Sequence, residues 1–446
     1  MSKLTNEQIE RNFAELDPLM SQAEALAEAN RCLYCYDAPC MHACPTHIDV
    51  PSFIKKIATG NLKGSARVIF DANPIGSTCA RVCPVEALCE GACVEKTLVQ
   101  KPIEIGRLQR YATEKVLVER TPLFQVGAPN GFSIGIVGSG PAGLSCAAYL
   151  ARLGYAVTVY ERRAEPGGLD TYGMAEYKMT RSASLAEVAL IEQMGVKFVT
   201  ETSIVSDGSD DLPRSVTAVE LCSRHNAILI AAGLGATNRL NIPGEEQEGV
   251  VDALTFIEQV KTREWNSVPL GNTVAVIGAG NTAVDAATQA KRLGAAKVMM
   301  IYRRTEADAP AYEYELELAR LDGIEFHWRT MPVEIIGDGN VSGLRCARGD
   351  GSEAFIECDQ VIKAIGQAKL GTSLREAFGI DIDEKGRVRV DDDMRTSDPL
   401  IFAAGDCVSG GAEAVDAAQM GKLAAIGIHH SLTGERVEFA GSAVSK

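Results

Sequence analysis

Residues 132–163 read FSIGIVGSGPAGLSCAAYLARLGYAVTVYERR. An apolar run ends at Val137 in the turn Gly138-Ser139-Gly140-Pro141-Ala142-Gly143. A run with helical spacing follows to Arg152, and a second apolar run closes at Glu161. This order predicts strand, glycine turn, helix, strand. Gly138 makes the tight turn. Gly140 lets backbone approach a pyrophosphate, and Gly143 lets the helix pack on the strand, so that the helix N-terminus faces the phosphates. Glu161 stands 23 residues after Gly138. A carboxylate there can accept a hydrogen bond from a ribose 2′-hydroxyl and would repel a 2′-phosphate. FAD or NAD, rather than NADP, is therefore expected in this copy.

The motif recurs about 140 residues later as NTVAVIGAGNTAVDAATQAKRLGAAKVMMIYRR, residues 272–304. Both copies carry Arg-Leu-Gly at the helix end and Arg-Arg after the second strand. Here the turn residues are Gly278, Gly280 and Ala283, and Tyr302 replaces the acid. Arg303 and Arg304 follow it, and guanidinium groups suit a 2′-phosphate. NADPH is favoured over NADH on that ground. The bland alternative is a solvated basic turn, since Arg162 and Arg163 follow Glu161 as well.

Short apolar runs at 227–233, 360–366 and 400–406 each end in or at Gly, as strands finishing at a ligand edge do. Residues 312–323 have helical spacing between them. The expected fold is α/β: two Rossmann-like dinucleotide-binding domains, one inserted in the other, preceded by an α-helical, Cys-rich domain. Residues 1–125 form the helical part, 132–252 and 370–446 the first dinucleotide domain, and 253–369 the inserted one. The late segment AAGDCVSGGAEAVDAAQMGKLAA resembles the second FAD contact of two-dinucleotide-fold flavoprotein reductases. That likeness implies Gly405 at the contact and Asp406 on the ribityl chain; Asp406 also reads as a helix N-cap. Gly167 and Gly168 fit close backbone approach to the flavin pyrophosphate.

The chain has 446 residues, 46% of them apolar, and a net charge of −15. An acidic chain of this kind lacks the basic stripe that nucleic acid demands. No apolar run reaches the roughly 18 residues of a membrane helix, and the first residues have no apolar signal core. A cytoplasmic protein is expected. Eight of the thirteen Cys lie between Cys32 and Cys93. In that compartment clustered Cys read as metal ligands rather than disulfides. The spacings are C-x2-C-x4-C-x3-C-P from Cys32 to Cys44 and C-x3-C-P-x4-C-x3-C from Cys79 to Cys93. These wide, Pro-bearing runs look like the [4Fe–4S] runs of two-cluster ferredoxins. His42 and His47 keep zinc as the alternative. No CxxC occurs within the dinucleotide folds, so the dithiol exit used by thioredoxin-reductase-type enzymes is absent. A flavin between nicotinamide and clusters would convert two electrons to one at a time.

The strings RCLYCYDAPCMHACPTHIDVPSFI, ANPIGSTCARVCPVEALCEGAC and PIEIGRLQRYATE resemble the N-terminal region of dihydropyrimidine dehydrogenase. The likeness runs through both dinucleotide folds and is greatest to the separate FAD/NAD(P)-binding subunit of the bacterial two-subunit enzyme. The small subunit of glutamate synthase is a relative and supplies the alternative reading. The resemblance implies one cluster on Cys32, Cys35, Cys40 and Cys93, and another on Cys44, Cys83, Cys89 and the side chain of Gln109. Cys79 is then left over. It also implies Leu169, Lys178 (Lys where the family has Arg) and Ile204 near the flavin. For the nicotinamide cofactor it implies Ala279 to Thr282 (thus Asn281), Arg303, Arg304 and Ala364 to Gly366. A further family Arg is Pro310 here. The implied activity is NAD(P)H oxidation, with electrons passing through FAD and two [4Fe–4S] clusters. They would reach an FMN- and iron–sulfur-containing catalytic subunit that reduces uracil or thymine at the 5,6 double bond. No barrel's worth of sequence remains for that site, which is expected on another polypeptide. Hydride transfer needs stacking and orientation more than an acid or base, so no general acid–base residue is named.

Overall fold

The computed structural model describes residues 4–205 and 212–441. The first glycine stretch folds as its spacing predicts, with strand Ser133–Val137, helix Pro141–Arg152 and strand Ala156–Tyr160. These two strands join three others in a wholly parallel sheet. Its order is Ile401–Ala403, Ala227–Ile230, Ser133–Val137, Ala156–Tyr160, Lys197–Val199. The strands are apolar on both faces because helices cover the sheet. The long helix Ala414–Thr433 lies so close to Pro141–Arg152 that a Cβ on Gly421 would stand 2.2 Å from the Ala142 carbonyl oxygen. Strand order reverses beside Ser133–Val137, whose C-terminal end is thus the crevice where such sheets bind ligands.

The helical part from residue 17 onward belongs to the same compact unit, whose described residues are 17–171, 182–205, 212–234 and 369–441. Helix Val50–Ala58 begins with Asp49 accepting from Ser52 N and with Pro51 in its first turn. Val50, Phe53, Ile54 and Ile57 recur at three- and four-residue steps and are buried. They meet Ile69, Leu108 and Ala112 from helices Leu62–Ala72 and Ile105–Glu119 in one core. Polar contacts tie this core to the first dinucleotide fold. Tyr149 Oη donates to the Asp71 carbonyl at 2.9 Å, and Arg152 pairs with the Asp71 carboxylate at 2.6 Å. Glu187, from helix Arg181–Glu192, accepts from Ser77 N, Thr78 N and Thr78 Oγ1 at the start of helix Gly76–Val82.

The other unit comprises residues 4–16, 172–181 and 235–368. Its parallel sheet runs Glu325–His327, Lys297–Ile301, Thr273–Ile277, Gln360–Lys363, Val250–Asp252. An antiparallel sheet of Thr330–Gly337, Val341–Arg348 and Glu353–Glu357 accompanies it. The unit boundaries differ from the sequence expectation. Residues 235–252 go with the inserted fold, because Val250–Asp252 pairs with Gln360–Lys363 at its sheet edge. Residues 4–16 go there too, since Ile9 and Phe13 are buried in that unit's core and Phe13 stacks on Trp265 at 4.8 Å. Among the described residues, no helix is long and apolar enough to cross a membrane.

Candidate functional site

The glycine turn after Val137 takes the geometry its sequence requires. Gly138 has φ +98°, and a Cβ there would stand 2.3 Å from the Ala231 carbonyl oxygen. A Cβ on Gly143 would stand 2.1 Å from the Gly138 carbonyl, so the third glycine brings helix against turn. Over Gly140 nothing lies within 4 Å, which leaves an open cradle at the helix N-terminus. Helix Pro141–Arg152 follows, with Ala142 buried and the other turn residue, Ser139, fully buried.

Glu161 is buried beneath this turn rather than standing free at the strand end. One carboxylate oxygen accepts from Ser139 N at 3.0 Å and from Ser139 Oγ. The other accepts from Arg163 N at 2.8 Å. Ser139 Oγ in turn accepts from Gly167 N at 3.0 Å. The carboxylate therefore organises the glycine turn and the Gly167–Gly168 turn together. Gly168 stands against Gly140, where a Cβ would meet its Cα at 2.8 Å. Leu169 opens the short helix Leu169–Tyr172 beside it. Ile204 lies on strand Thr202–Val205 against the apolar layer that holds Ile230 and Cys407.

Asp406 opens the short helix Asp406–Ser409, whose N-cap is Gly405 at φ +77°. The simple N-cap reading of Asp406 is therefore corrected. Its Oδ1 instead accepts from Ala412 N at 3.1 Å, closing the glycine-rich turn, and burial raises its pKa. The two turns and Asp406 belong to one unit and flank the C-terminal edge of its sheet. An open backbone cradle, a helix N-terminus and a buried carboxylate network fit a dinucleotide.

In the other unit Gly278 has φ +137°, and Gly280 faces only Pro310 Cγ, 3.7 Å from its would-be Cβ. Asn281 begins helix Asn281–Leu293 and its side chain accepts from Tyr312 N at 3.1 Å; the Ala279 carbonyl accepts from Ala311 N. Thr282 lies in the first turn of that helix. Pro310 thus stands at the phosphate turn where a cation was expected from the resemblance. Ala364 follows strand Gln360–Lys363, and Gly366 has φ +82°. Arg303 and Arg304 are exposed at the end of strand Lys297–Ile301. This turn also fits a dinucleotide.

Lys178 lies in this second unit, ion-paired to Asp285 Oδ1 at 2.6 Å and Glu315 Oε2 at 2.5 Å. Burial works to lower its pKa, but Asp285, Tyr177 and Glu315 raise it well above the usual lysine value. Sequence reading of Lys178 missed both carboxylate partners, which stand more than a hundred positions away.

Cys32, Cys35, Cys40 and Cys93 line one cavity, together with Ala38, Ile54 and Ile103. Cys32 and Cys35 come from the loop 31–38, Cys40 from the short helix Pro39–His42 and Cys93 from the N-cap of helix Val94–Val99, so both Cys runs contribute. Cys44, Cys83 and Cys89 form a second group. Cys83 is raised well above the usual thiol value by its hydrogen bond to Cys79, by burial and by Cys44 and Cys89 nearby. Cys79 is buried and its sulfur accepts from Asn73 Nδ2 at 3.1 Å. Gln109 is buried on helix Ile105–Glu119, and its amide donates to the Gly76 carbonyl at 2.6 Å. Among the described residues no three His, Cys, Asp or Glu side chains converge tightly enough for a single metal ion. Cys32, Cys35, Cys40 and Cys93, gathered on one cavity, supply the four thiols that would hold an iron–sulfur cluster there. His42 is engaged by Asp37 at 2.6 Å. Sequence reading missed Glu187, whose signal is a lone acid in the otherwise apolar stretch LAEVALI, and Lys422, a lone cation in MGKLAAIG.

Residues 132–421 match the family described as pyridine nucleotide-disulphide oxidoreductase. Residues 9–121 match dihydropyrimidine dehydrogenase domain II, 4Fe-4S cluster. The chain is 34% identical to the NAD-dependent dihydropyrimidine dehydrogenase subunit PreT of Escherichia coli (strain K12), over 94% of this chain and 97% of that one. It is 31% identical to the glutamate synthase [NADPH] small chain of the same organism, over 93% of each. A crystal structure of Lactococcus lactis thioredoxin reductase shares the fold, with a TM-score of 0.55 at 24% identity, over 68% of this chain and 100% of that one.

Proposed function

Because the chain belongs to the pyridine nucleotide-disulphide oxidoreductase family and carries the dihydropyrimidine dehydrogenase 4Fe-4S domain, we propose that it is the electron-input subunit of a two-subunit dihydropyrimidine dehydrogenase. It oxidises NAD(P)H at FAD and sends the electrons through two [4Fe–4S] clusters to an FMN- and iron–sulfur-containing partner, which reduces uracil or thymine. The observation that carries this reading is the cavity formed by Cys32, Cys35, Cys40 and Cys93 in the same unit as the first glycine cradle. When bound, FAD supplies the conversion from a two-electron hydride to single electrons.

The residues supply placement. The cradle over Gly140 and the helix starting at Pro141 hold a pyrophosphate, while Glu161 fixes the turn and offers its remaining lone pairs to a ribose. Gly168 brings the adjoining turn against it, and Asp406 presents a carboxylate at the sheet edge. Ile204 and Lys178 are the further residues that the resemblance implies near the flavin; within its own unit Lys178 is held by Asp285 and Glu315. Across the second turn, Gly278 to Thr282 hold the nicotinamide dinucleotide, Ala364 to Gly366 border it, and Arg303 and Arg304 favour a 2′-phosphate. Leu33, which lines the cavity, is exposed, and so are Tyr36, Leu98 and Val99, close in sequence to its lining residues.

The test pairs the chain with its native partner and follows NADH or NADPH oxidation. Uracil is expected to trigger it, NADPH being used in preference to NADH. A response only to glutamine plus 2-oxoglutarate would move the chain to the glutamate synthase role. Ligation is tested separately. Gln109→Ala is expected to change the EPR spectrum of one reduced cluster or to lower iron content by up to half. Cys79→Ser should leave both unchanged. The reverse pattern would make Cys79 the ligand.

A further inference from the structure

Lys422 lies on helix Ala414–Thr433 and is fully buried. Its Nζ donates to the Thr46 carbonyl at 3.1 Å and the Ala440 carbonyl at 2.9 Å. Among the described residues no carboxylate pairs with it. Asp71, an acid that acts on it electrostatically, is itself paired with Arg152. A buried ammonium held only by neutral carbonyls is costly unless a negative group lies close by. The segment that holds it points to that group. Thr46 lies two residues after Cys44, and its Oγ1 is 3.3 Å from Cys44 Sγ. The His47 amide donates to the Cys44 carbonyl, which closes the same turn.

The chain's last described residues seal the site. Phe439 packs on Tyr149 with ring centroids 4.4 Å apart, and a Cβ on Gly441 would stand 2.2 Å from the Thr46 carbonyl oxygen. Lys422 Nζ itself lies 5.9 Å from the centre of the Tyr149 ring. Burial, with a smaller push from Arg152, brings its pKa down to about 7, while Cys44 and Asp71 favour the charged form. A cluster with anionic thiolates would add strongly to the second pair.

We propose that Lys422 is an electrostatic tuning residue for the cluster on Cys44, Cys83 and Cys89: its sealed ammonium stabilises the one-electron-reduced state. This rests on the two-cluster reading above. Reduction adds one electron and one unit of negative charge to the cluster, so a fixed positive charge in a low-dielectric setting favours the reduced form. The same helix packs against Pro141–Arg152, so the charge that draws the electron is carried by the scaffold of the flavin-side cradle.

The test is an anaerobic, dye-mediated redox titration of the full chain followed by EPR. Lys422→Met is expected to shift the midpoint of one cluster to more negative potential while the other cluster moves much less. Flavin and iron contents should stay at wild-type levels, and Lys422→Arg should keep the wild-type midpoint. Unchanged midpoints in loaded Lys422→Met protein, or equal shifts of both clusters, would overturn the proposal. If Lys422→Met does not fold, Phe439→Ala serves instead. It loosens the seal, admits water and is expected to give a smaller negative shift of the same cluster; no shift there is equally adverse. A wild-type chain that takes up no cluster would instead remove the two-cluster reading on which the proposal stands.

Discussion

Lys178→Met is expected to destabilise the unit of the second dinucleotide fold by about 3–5 kcal/mol, because it strands two carboxylates. Asp285 and Glu315 each lie within 2.6 Å of the ammonium, and all three side chains are nearly buried. The pair also sits in a wider clamp. Asp285 accepts from Ala175 N and Gln289 from Glu176 N, Tyr177 Oη meets Thr288 Oγ1 at 2.6 Å, and Arg292 lies 3.9 Å over the Tyr177 ring. Positions 285, 288, 289 and 292 form one face of a helix, so a single stripe reads four consecutive residues of the 172–181 segment. In a melting experiment the loss corresponds to a fall on the order of 10 °C in that unit's transition. Adding Asp285→Asn and Glu315→Gln to Lys178→Met should recover most of it, since the cost lies in unpaired charge rather than in lost volume. A triple variant as unstable as the single one would show that packing, not charge, holds the segment.

Glu187 carries the second large effect. It accepts three hydrogen bonds at the start of helix Gly76–Val82, the helix that bears Cys79 and leads into Cys83. Glu187→Ala leaves three buried donors without a partner, and at roughly 1–3 kcal/mol for each unsatisfied group the loss should reach about 3–5 kcal/mol. Cysteine geometry should loosen with it, read as lower iron content. The pH dependence has a definite sign. Burial pushes Glu187 up to about 7, against the hydrogen bonds from Thr78 and Ser77, so the folded chain holds its proton where the unfolded chain has released it. The stability it contributes is present below about 4.5 and is lost as pH rises toward 7. That loss is about 3 kcal/mol for a fully buried group. Glu187→Gln cannot ionise, so its denaturation midpoint should vary less with pH between 4.5 and 7 than that of wild type. An identical pH profile would place the titration elsewhere.

Local signals carried much of this architecture. Gly138, Gly143 and Gly278 have conformations or contacts that only glycine tolerates, and short continuous apolar runs marked the strands that lead into these turns. The cavity groups Cys32, Cys35, Cys40 and Cys93, an association that spacing alone left open and the family resemblance supplied. Other features were illegible because their partners are distant in sequence. Residues 172–181 follow the first βαβ unit without a break, yet their partners begin at Asp285. The strand Val250–Asp252 is three residues long and takes its identity from Gln360–Lys363. Glu161 sits where the ribose acid was expected, but its ties to Ser139 and Arg163 depend on a turn geometry that no pattern of residue types specifies. Lys422 and Glu187 stand out only as lone charges in apolar helices, and their partners Thr46, Ser77 and Thr78 belong to the helical part of the chain.

The most direct test of hydride entering and single electrons leaving is anaerobic addition of NADPH or NADH to the purified chain, followed by absorbance and then by EPR. The account predicts a brown protein whose flavin band bleaches on mixing and whose reduced-cluster signals then appear. A colourless zinc protein would contradict it, and so would a flavin that bleaches while its iron–sulfur clusters stay oxidised in the presence of mediators able to reach them.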